Sequence, residues 1–445
     1  MLTLRPYQEE DLKYYLSHNS IGNFSEQRTG KTPPVCKALK ELNFSRVLIV
    51  CPASLCYMWQ AELLKWTELS STVAKTTTFS KPDTSIYITN YEKIRGTKGK
   101  QGFFQALQKW RPEAVILDEA HRIKNRQSLT FTNLRKLRNC KFKVALTGTP
   151  AFNKPWDVWA VLNWLFPKMY SSYWKFIDEY FEQDVLWVHG EPHAQPAKFK
   201  QGADKLLSMN LDINCIQHKR KEVMQWAKDI EEPTVIRLNP TKLQVTAVNN
   251  LMKYFEYKHI CTKTILDNLI RVRQILTAPE ILDIKGSSPK TEWLLQYLKD
   301  YPNQSTLVFS NSKKFLTYLK NILDKHKLPT ATISGDVSQK KRQDIVVAFQ
   351  EGDINILLLQ TQAAREGLTL DKADVSIFLD TYPPVADYLQ AKDRMVSTTP
   401  ERDKPKEIIH VMMAGTYDEQ LYKLVETNAD NAAVINDYKD YIRKE

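Results

Sequence analysis

Two series of short apolar runs, rich in β-branched residues and separated by longer amphipathic stretches, constrain the fold of this chain most strongly. The runs are FSRVLIVCP (44–52), TSIYITNYE (84–92), EAVILDEAH (113–121) and KVALTGTP (143–150), then STLVFSN (305–311), TATISGD (330–336), INILLLQT (354–361), VSIFLDT (375–381) and EIIHVMM (407–413). Strands that alternate with helices usually pair in parallel and are covered by the helices on both faces. The pattern therefore predicts two α/β parallel sheets, and a chain of 445 residues is long enough for two domains.

Composition separates a third segment between the two series. This segment is rich in aromatic residues at helical spacing, among them Trp159 and Trp164. The spacing favours burial of the rings against the first lobe, with base stacking by one of them as the alternative. Its one polar stretch, HGEPHAQPAKFKQG, predicts an exposed loop over 189–202. The predicted domains are a first lobe over 1–152, a helical elaboration with the crossing between lobes over 153–283, and a second lobe over 284–445.

Charge bears on the kind of partner, and cysteine content bears on metal sites and disulfides. Lysine and arginine outnumber aspartate and glutamate by 63 to 51, and the resulting formal charge of +12 attracts polyanions such as nucleic acid. A solvated basic surface without such a partner explains the same number, so charge leaves both open. The six cysteines form no CxxC pair, which predicts reduced thiols without zinc or disulfides. The charged start and the lack of a long apolar run predict a soluble, intracellular protein.

The strongest local signal for chemistry is SEQRTGKT (25–32). It follows an apolar segment and precedes a helix-like stretch, so backbone N–H groups and a helix dipole would face phosphate oxygens. In that arrangement Lys31 meets the β- and γ-phosphates of a nucleotide, and Thr32 holds Mg²⁺. However, Ser25 occupies the first glycine position of the GxxxxGK[ST] pattern, and GKT alone is a weak signal.

A pair of carboxylates at the end of VILDEAH supports the nucleotide hypothesis. Asp118 is placed to hold Mg²⁺ through water, and Glu119 to orient and deprotonate the attacking water. For an isolated Asp-Glu pair, an acidic cap on the following helix is the alternative. The order of the two motifs, with GKT first and the acidic pair at a later strand end, favours nucleotide hydrolysis.

The ordered motifs together resemble the Swi/Snf-type ATPases of helicase superfamily two, and specifically their compact bacterial and phage forms. In the first half the resemblance is carried by LRPYQ (4–8), EQRTGKT (26–32), VLIVCPASLCYMWQAELLKW (47–66), ITNYE (88–92), LDEAHRIKN (117–125), LTGTP (146–150) and VWAVLNWLFP (158–167). In the second half it is carried by LVFSNSKKFLTYL (307–319), ISGDVSQKKRQDIVVAF (333–349), LLLQTQAAREGLTLDKADVSIFLD (357–380) and QAKDR (390–394). Members of this family commonly lack the first glycine of the phosphate loop, which accounts for Ser25.

The resemblance implies two RecA-like parallel-sheet lobes with helical insertions, an ATP cleft between the lobes, Mg²⁺ as the companion of ATP, and DNA bound without sequence preference. The residues implied for ATP binding are Gln8 as the adenine reader, Arg28, Thr29, Gly30, Lys31 and Thr32. Those implied for hydrolysis are Lys31, Glu119 and Arg394, with Thr32 and Asp118 at the metal. Those implied for coupling are His121, Thr147, Thr149 and Gly367, and those for the DNA backbone are Ser54, Thr89, Asn90, Ser310, Ser334 and Thr361.

In function, the resemblance implies a cytoplasmic, DNA-dependent ATPase of a bacterial or phage-infected cell. It would act as a translocase or helicase on duplex or branched DNA during replication, recombination or repair. One departure from the family pattern leaves an alternative, because the last motif has Arg394 in its first arginine position and Ser397 in its second. A missing arginine finger costs about 10³ to 10⁵ in rate in related enzymes. Either Arg402 or another cation of the second lobe replaces it, or the chain is a DNA-binding, ATP-sensing clamp with weak hydrolysis.

Overall fold

The computed structural model describes residues 2–96, 102–148, 154–188, 191–224, 232–364, 368, 370–380, 388, 391, 395, 406–426 and 431–444. The chain divides into two compact units, Met1–Gln225 and Trp226–Glu445. The boundary falls inside the segment 153–283, so the helices before it belong to the first unit and those after it to the second.

The first unit is built on a parallel sheet. Its strands are β1 (Ser20–Asn23), β2 (Val47–Cys51), β3 (Ser71–Val73), β4 (Ile86–Asn90), β5 (Ala114–Asp118), β6 (Phe142–Leu146), β7 (Phe181–Val188), β8 (Glu191–Phe199) and β9 (Cys215–Ile216). Its helices are α1 (Pro6–Ser17), α2 (Thr32–Leu42), α3 (Cys56–Thr67), α4 (Tyr91–Arg95), α5 (Gly102–Trp110), α6 (Leu129–Leu137), α7 (Val158–Leu165), α8 (Tyr173–Tyr180), α9 (Ala203–Asn214) and α10 (Arg220–Val223). Within the described residues, seven strands pair in the order β3-β4-β2-β5-β6-β1-β9, and each pair is parallel.

Both faces of this sheet are buried, because alternate residues of each central strand enter different apolar clusters. Leu48 and Val50 of β2 pack into one cluster, whereas Val47 and Ile49 pack into the other. Near-continuous apolar strands such as VILD are therefore what a sheet covered on both faces requires.

The aromatic segment belongs to the cluster on one face of this sheet. Trp159, Trp164, Tyr170 and Phe176 are all buried there, which agrees with the burial favoured by their helical spacing. Trp174 differs, since 42% of it is exposed.

The expectation of a loop over 189–202 was wrong for much of its length. β7 and β8 pair antiparallel as a two-stranded ribbon, with registers such as Val185 opposite Ala194. Most of β8 is exposed, as expected of this stretch. The two prolines of β8 and the lack of alternating apolar residues concealed the strand, because a solvated ribbon needs no apolar face.

The second unit contains a second parallel sheet. The strands of this unit are β10 (Thr234–Leu238), β11 (Glu256–Tyr257), β12 (Ile260–Cys261), β13 (Thr306–Ser310), β14 (Thr330–Ile333), β15 (Ile356–Gln360), β16 (Val375–Phe378) and β17 (Glu407–Met413), of which β11 and β12 form a separate antiparallel pair. Its helices are α11 (Lys242–Tyr254), α12 (Ile265–Thr277), α13 (Pro289–Asp300), α14 (Lys313–Lys325), α15 (Gln339–Glu351), α16 (Thr361–Ala364), α17 (Tyr417–Glu426) and α18 (Asn431–Lys444). Six described strands pair in parallel in the order β10-β17-β16-β13-β15-β14.

The second sheet is also covered on both faces. Val308 of β13 and Leu358 of β15 enter one apolar cluster, and Leu307 and Leu357 enter the other. The prediction of two RecA-like parallel-sheet units is confirmed by this architecture. None of the described helices is long and apolar enough to cross a bilayer.

Candidate nucleotide site

The predicted phosphate loop lies between the carboxyl end of β1 and the start of α2. Arg28 and Gly30 both adopt left-handed backbone conformations, with φ of 67° and 74°. The left-handed backbone at residue 30 favours glycine, and a Cβ there would lie 2.6 Å from the Gln8 Nε2 atom and displace that side chain. The loop therefore turns tightly before the helix begins at Thr32.

Lys31 is held inside this loop. Its ammonium group donates to the carbonyl oxygens of Ser25, at 2.8 Å, and Glu26, at 2.9 Å. The Thr29 hydroxyl donates to the same Glu26 oxygen at 2.8 Å, which fixes the curvature of the loop. The cation thus lies beside the amino end of α2, where the helix dipole also attracts anions.

The start of α1 is fastened to the loop. The Gln8 side chain donates to the Gly30 carbonyl oxygen at 2.9 Å and accepts from the Arg5 N–H at 2.9 Å, and the Tyr7 hydroxyl donates to the Thr29 carbonyl oxygen at 2.5 Å. The structure therefore places Gln8 beside the loop, and its role as the adenine reader stays a prediction.

Asp118 ends β5, two strands away from β1, and Glu119 follows it directly. Asp118 accepts from the Trp59 indole N–H at 2.8 Å and from the Glu119 backbone N–H at 3.0 Å. Burial and the neighbouring Glu119 charge raise the pKa of Asp118 to about 6, while Trp59 and the Lys31 charge act in the opposite direction. Burial and the Glu119 charge thus disfavour the ionised form of this carboxylate, and a bound cation would stabilise it.

These groups fit a magnesium ion. The oxygen atoms of Asp118 and Thr32 are ligands of the kind that Mg²⁺ prefers, and a nearby cation would offset the cost of burying the Asp118 charge. The part of the chain that the structure describes contains no cluster of three or more acidic, histidine or cysteine side chains suited to a metal.

His121 connects the acidic pair to the end of β6. Its Nδ1 atom lies 3.3 Å from a carboxylate oxygen of Glu119 and 3.1 Å from the Thr147 hydroxyl. One residue further, a Cβ on Gly148 would lie 2.6 Å from Cγ of Gln27, so the segment after β6 approaches the phosphate loop closely. The ends of β5, β6 and β1 are thereby brought into one site.

A segment that the sequence analysis did not single out closes the outer side of the loop. After β9, the His218 backbone N–H donates to the Ser25 hydroxyl at 3.0 Å, and the Glu26 N–H donates to the His218 carbonyl oxygen at 2.9 Å. The His218 imidazole in turn lies 2.7 Å from the buried Asp11 carboxylate on α1. Ser25 at the first glycine position therefore has a structural partner, which local sequence patterns do not disclose.

The predicted DNA-contacting residues lie at or just beyond the carboxyl ends of strands in both sheets. Thr89 and Asn90 end β4, Ser54 follows β2, and Ser310, Ser334 and Thr361 end or follow β13, β14 and β15. The Thr89 and Thr361 hydroxyls are buried without a hydrogen-bond partner among the described residues. The Asn90 side chain accepts from the Lys93 N–H, and the Ser310 hydroxyl donates to Asp380 at 2.8 Å. Whether these groups reach DNA stays a prediction.

Five residues of the sequence hypothesis lie outside the described residues. They are Thr149, Gly367, Arg394, Ser397 and Arg402. The roles assigned to Arg394 and to its neighbours therefore stay predictions.

A phosphate loop, an acidic pair and a strand-end threonine on one edge of a parallel sheet define a P-loop nucleotide hydrolase of the helicase type. Comparison with known proteins places the chain within that class. Residues 11–282 match the SNF2-related domain, and residues 289–398 match the helicase conserved C-terminal domain. The chain belongs to the SNF2-related family, whose members are helicase-type ATP hydrolases.

Individual relatives are distant and longer. An ISWI chromatin-remodeling complex ATPase of Saccharomyces cerevisiae is 26% identical over 97% of this chain, which covers 40% of that protein. A RAD54-like DNA repair and recombination protein of Drosophila erecta is 22% identical, with 94% of this chain and 61% of that protein covered. A SWI2/SNF2 ATPase core of Sulfolobus solfataricus, solved with double-stranded DNA, matches 96% of this chain and 91% of its own at 23% identity and a TM-score of 0.45. The chain thus spans less than half of the ISWI relative.

Proposed function

We propose that this protein is a DNA-dependent ATPase that translocates on duplex or branched DNA in replication, recombination or repair. The observation that supports hydrolysis most directly is the connection from Glu119 through His121 to Thr147, beside the loop that holds Lys31. An acidic pair that served only as a helix cap would not need a histidine bridge to a second strand end.

In the proposed mechanism each residue of the site has one role. Lys31 binds the β- and γ-phosphates, and Gln8 contacts the adenine. Glu119 orients the attacking water and accepts its proton. Asp118 and Thr32 would hold Mg²⁺, which supplies positive charge at the phosphates when it is bound. Because His121 contacts both Glu119 and Thr147, loss of the γ-phosphate can change the position of the segment after β6.

DNA is proposed as the partner on three grounds. The chain belongs to the SNF2-related family, a RAD54-like relative is named for DNA repair and recombination, and the formal charge of +12 attracts a polyanion. The predicted contacts are to the phosphate backbone, so binding should be independent of sequence and should weaken steeply with added salt.

The decisive experiment compares ATP hydrolysis with single-stranded, duplex, forked and four-way-junction DNA. We expect duplex or branched DNA to stimulate hydrolysis, and we expect movement along duplex DNA to displace a triplex-forming strand. Glu119→Gln is the matched control, because it should bind ATP and displace no strand. Hydrolysis that no nucleic acid stimulates would contradict the proposal, and tight DNA binding with slow, unstimulated turnover would instead support the ATP-sensing clamp.

A further inference from the structure

Asp118 is contacted by residues that follow two other strand ends. The Trp59 indole N–H donates to its carboxylate at 2.8 Å, and the Tyr91 hydroxyl donates to its backbone carbonyl oxygen at 2.7 Å. Trp59 lies in the first turn of α3, just after residues 52–55, and Tyr91 begins α4 directly after Asn90. The carboxylate proposed to hold Mg²⁺ is therefore joined to the two strand ends in this unit that we predict to face DNA.

The contact from Trp59 is well suited to fix an orientation. Trp59 is fully buried, its ring packs in the apolar cluster on one face of the sheet, and an indole nitrogen can only donate. Its position is therefore set by α3, and its N–H meets one oxygen of Asp118 while the Glu119 N–H meets the other. Together the two donors fix the rotation of the carboxylate.

We propose that Trp59 is a positioning residue, whose N–H holds Asp118 in the orientation that receives the cation and makes that orientation depend on residues 52–55. A displacement of this loop moves the start of α3, and Trp59 moves with it. Because a hydrogen bond weakens steeply with lengthening and misalignment, a small movement changes how Asp118 is presented. The dependence on DNA rests on the proposed function, whereas the positioning of Asp118 does not.

A matched pair of variants distinguishes the proposed positioning of Asp118 from a purely structural role for Trp59. Trp59→Phe keeps an aromatic ring in the core and removes the donor. Trp164→Phe is the control, because Trp164 is also fully buried and donates its indole N–H at 3.1 Å to the Leu134 carbonyl oxygen instead of to Asp118. Both variants lose one buried hydrogen bond and part of one ring.

The first measurement is the binding of a fluorescent ATP analogue during titration with Mg²⁺, which does not require turnover. For Trp59→Phe we expect the Mg²⁺ concentration at half-maximal binding to rise about tenfold, the effect of losing roughly one hydrogen bond to a charged group. Binding without Mg²⁺ should change less than about twofold, because the lost hydrogen bond is to the carboxylate proposed to hold the cation and not to the nucleotide. For Trp164→Phe neither value should change. Equal Mg²⁺ dependence in the two variants would overturn the proposal.

The second measurement is the ratio of ATP hydrolysis with and without duplex DNA. We expect Trp59→Phe to lower this ratio and Trp164→Phe to keep it. If Trp59→Phe raises the Mg²⁺ concentration needed for binding but leaves the ratio of hydrolysis with and without DNA unchanged, the orientation of Asp118 does not depend on residues 52–55. Wild-type protein that no DNA stimulates would contradict the proposed function and leave the Mg²⁺ titration as a valid test of positioning. If Trp59→Phe does not fold, 3-benzothienylalanine at position 59 keeps the bicyclic ring without the donor and is tested in the same way.

Discussion

Replacement of Ser25 tests whether the serine in the phosphate loop is a tolerated defect or a structural contact. The motif alone suggests that Ser25→Gly restores the GxxxxGK[ST] pattern and improves nucleotide binding. The structure predicts the opposite, because the buried Ser25 hydroxyl accepts the His218 N–H at 3.0 Å. Ser25→Ala removes only this acceptor, and Ser25→Gly also loosens the backbone.

The size of the effect follows from the lost contact. Leaving one partly buried N–H without an acceptor costs about 1–2 kcal/mol of unfolding free energy. In a unit of this size each 1 kcal/mol lowers the unfolding midpoint by about 2–4 °C, so Ser25→Ala should lower it by about 2–8 °C. Glycine in place of alanine adds about 0.5–1 kcal/mol of backbone entropy to the loss.

Scanning calorimetry measures the midpoint, and titration with an ATP analogue measures binding. Ser17→Ala is the control, since Ser17 is exposed at the end of α1 and its loss should change the unfolding free energy by less than about 0.5 kcal/mol. We expect the order wild type, Ser25→Ala, Ser25→Gly in both stability and ATP affinity. A midpoint for Ser25→Ala within about 1 °C of wild type, together with tighter ATP binding by Ser25→Gly, would refute the assigned contact.

Three further outcomes follow from the site and the core. Lys31→Ala and Glu119→Gln should each abolish steady-state ATP hydrolysis, and only Glu119→Gln should keep ATP binding; wild-type turnover by the latter would disprove its role as base. Gly148→Ala should reduce both hydrolysis and ATP affinity, because the alanine Cβ would lie 2.6 Å from Cγ of Gln27. Unchanged kinetics in the variant would show that the Gln27 side chain moves aside without cost. With a thiol reagent under native conditions, Cys261 should react first because it is exposed, and Cys261→Ser should remove the fast phase; a fast phase that persists would mean that one of the five buried or partly buried thiols reacts as quickly.

Those parts of the fold with a clear periodicity were predictable from the sequence. Each of the nine apolar runs contains one observed strand to within one residue, from β2 in the first unit to β17 in the second. Most of these strands are buried on both faces, as β2, β6 and β13 are, so almost every position along them is apolar; β14, at the edge of its sheet, is only partly buried. Short or partly exposed strands such as β3, β9 and β10 were not predicted, because two to five residues without a continuous apolar run give no usable signal.

The residues of the candidate site also divide into those that the sequence predicts and those that it does not. Gly30, Lys31 and Asp118 were found because their chemistry depends on a local pattern, in which a turn or a strand end presents one residue type. Trp59 was not found, because a buried tryptophan that donates to a carboxylate has the same local sequence as one that only packs. Its contact depends on the pairing of β2 with β5, in which Val50 lies opposite Leu117, one residue before Asp118.

The pairing of β9 with β1 explains why local patterns misjudge position 25. β9 has only two residues, yet its parallel register, with Ile216 opposite Asn23, brings His218 alongside the phosphate loop. His218 then contacts the Ser25 hydroxyl, the Glu26 N–H and the Asp11 carboxylate, although all three residues lie far from it in the sequence. A glycine at 25 would satisfy the local motif and leave the His218 N–H without this acceptor. The residue at this position is therefore determined by a strand near the end of the first unit, and a motif judged over eight residues cannot contain that information.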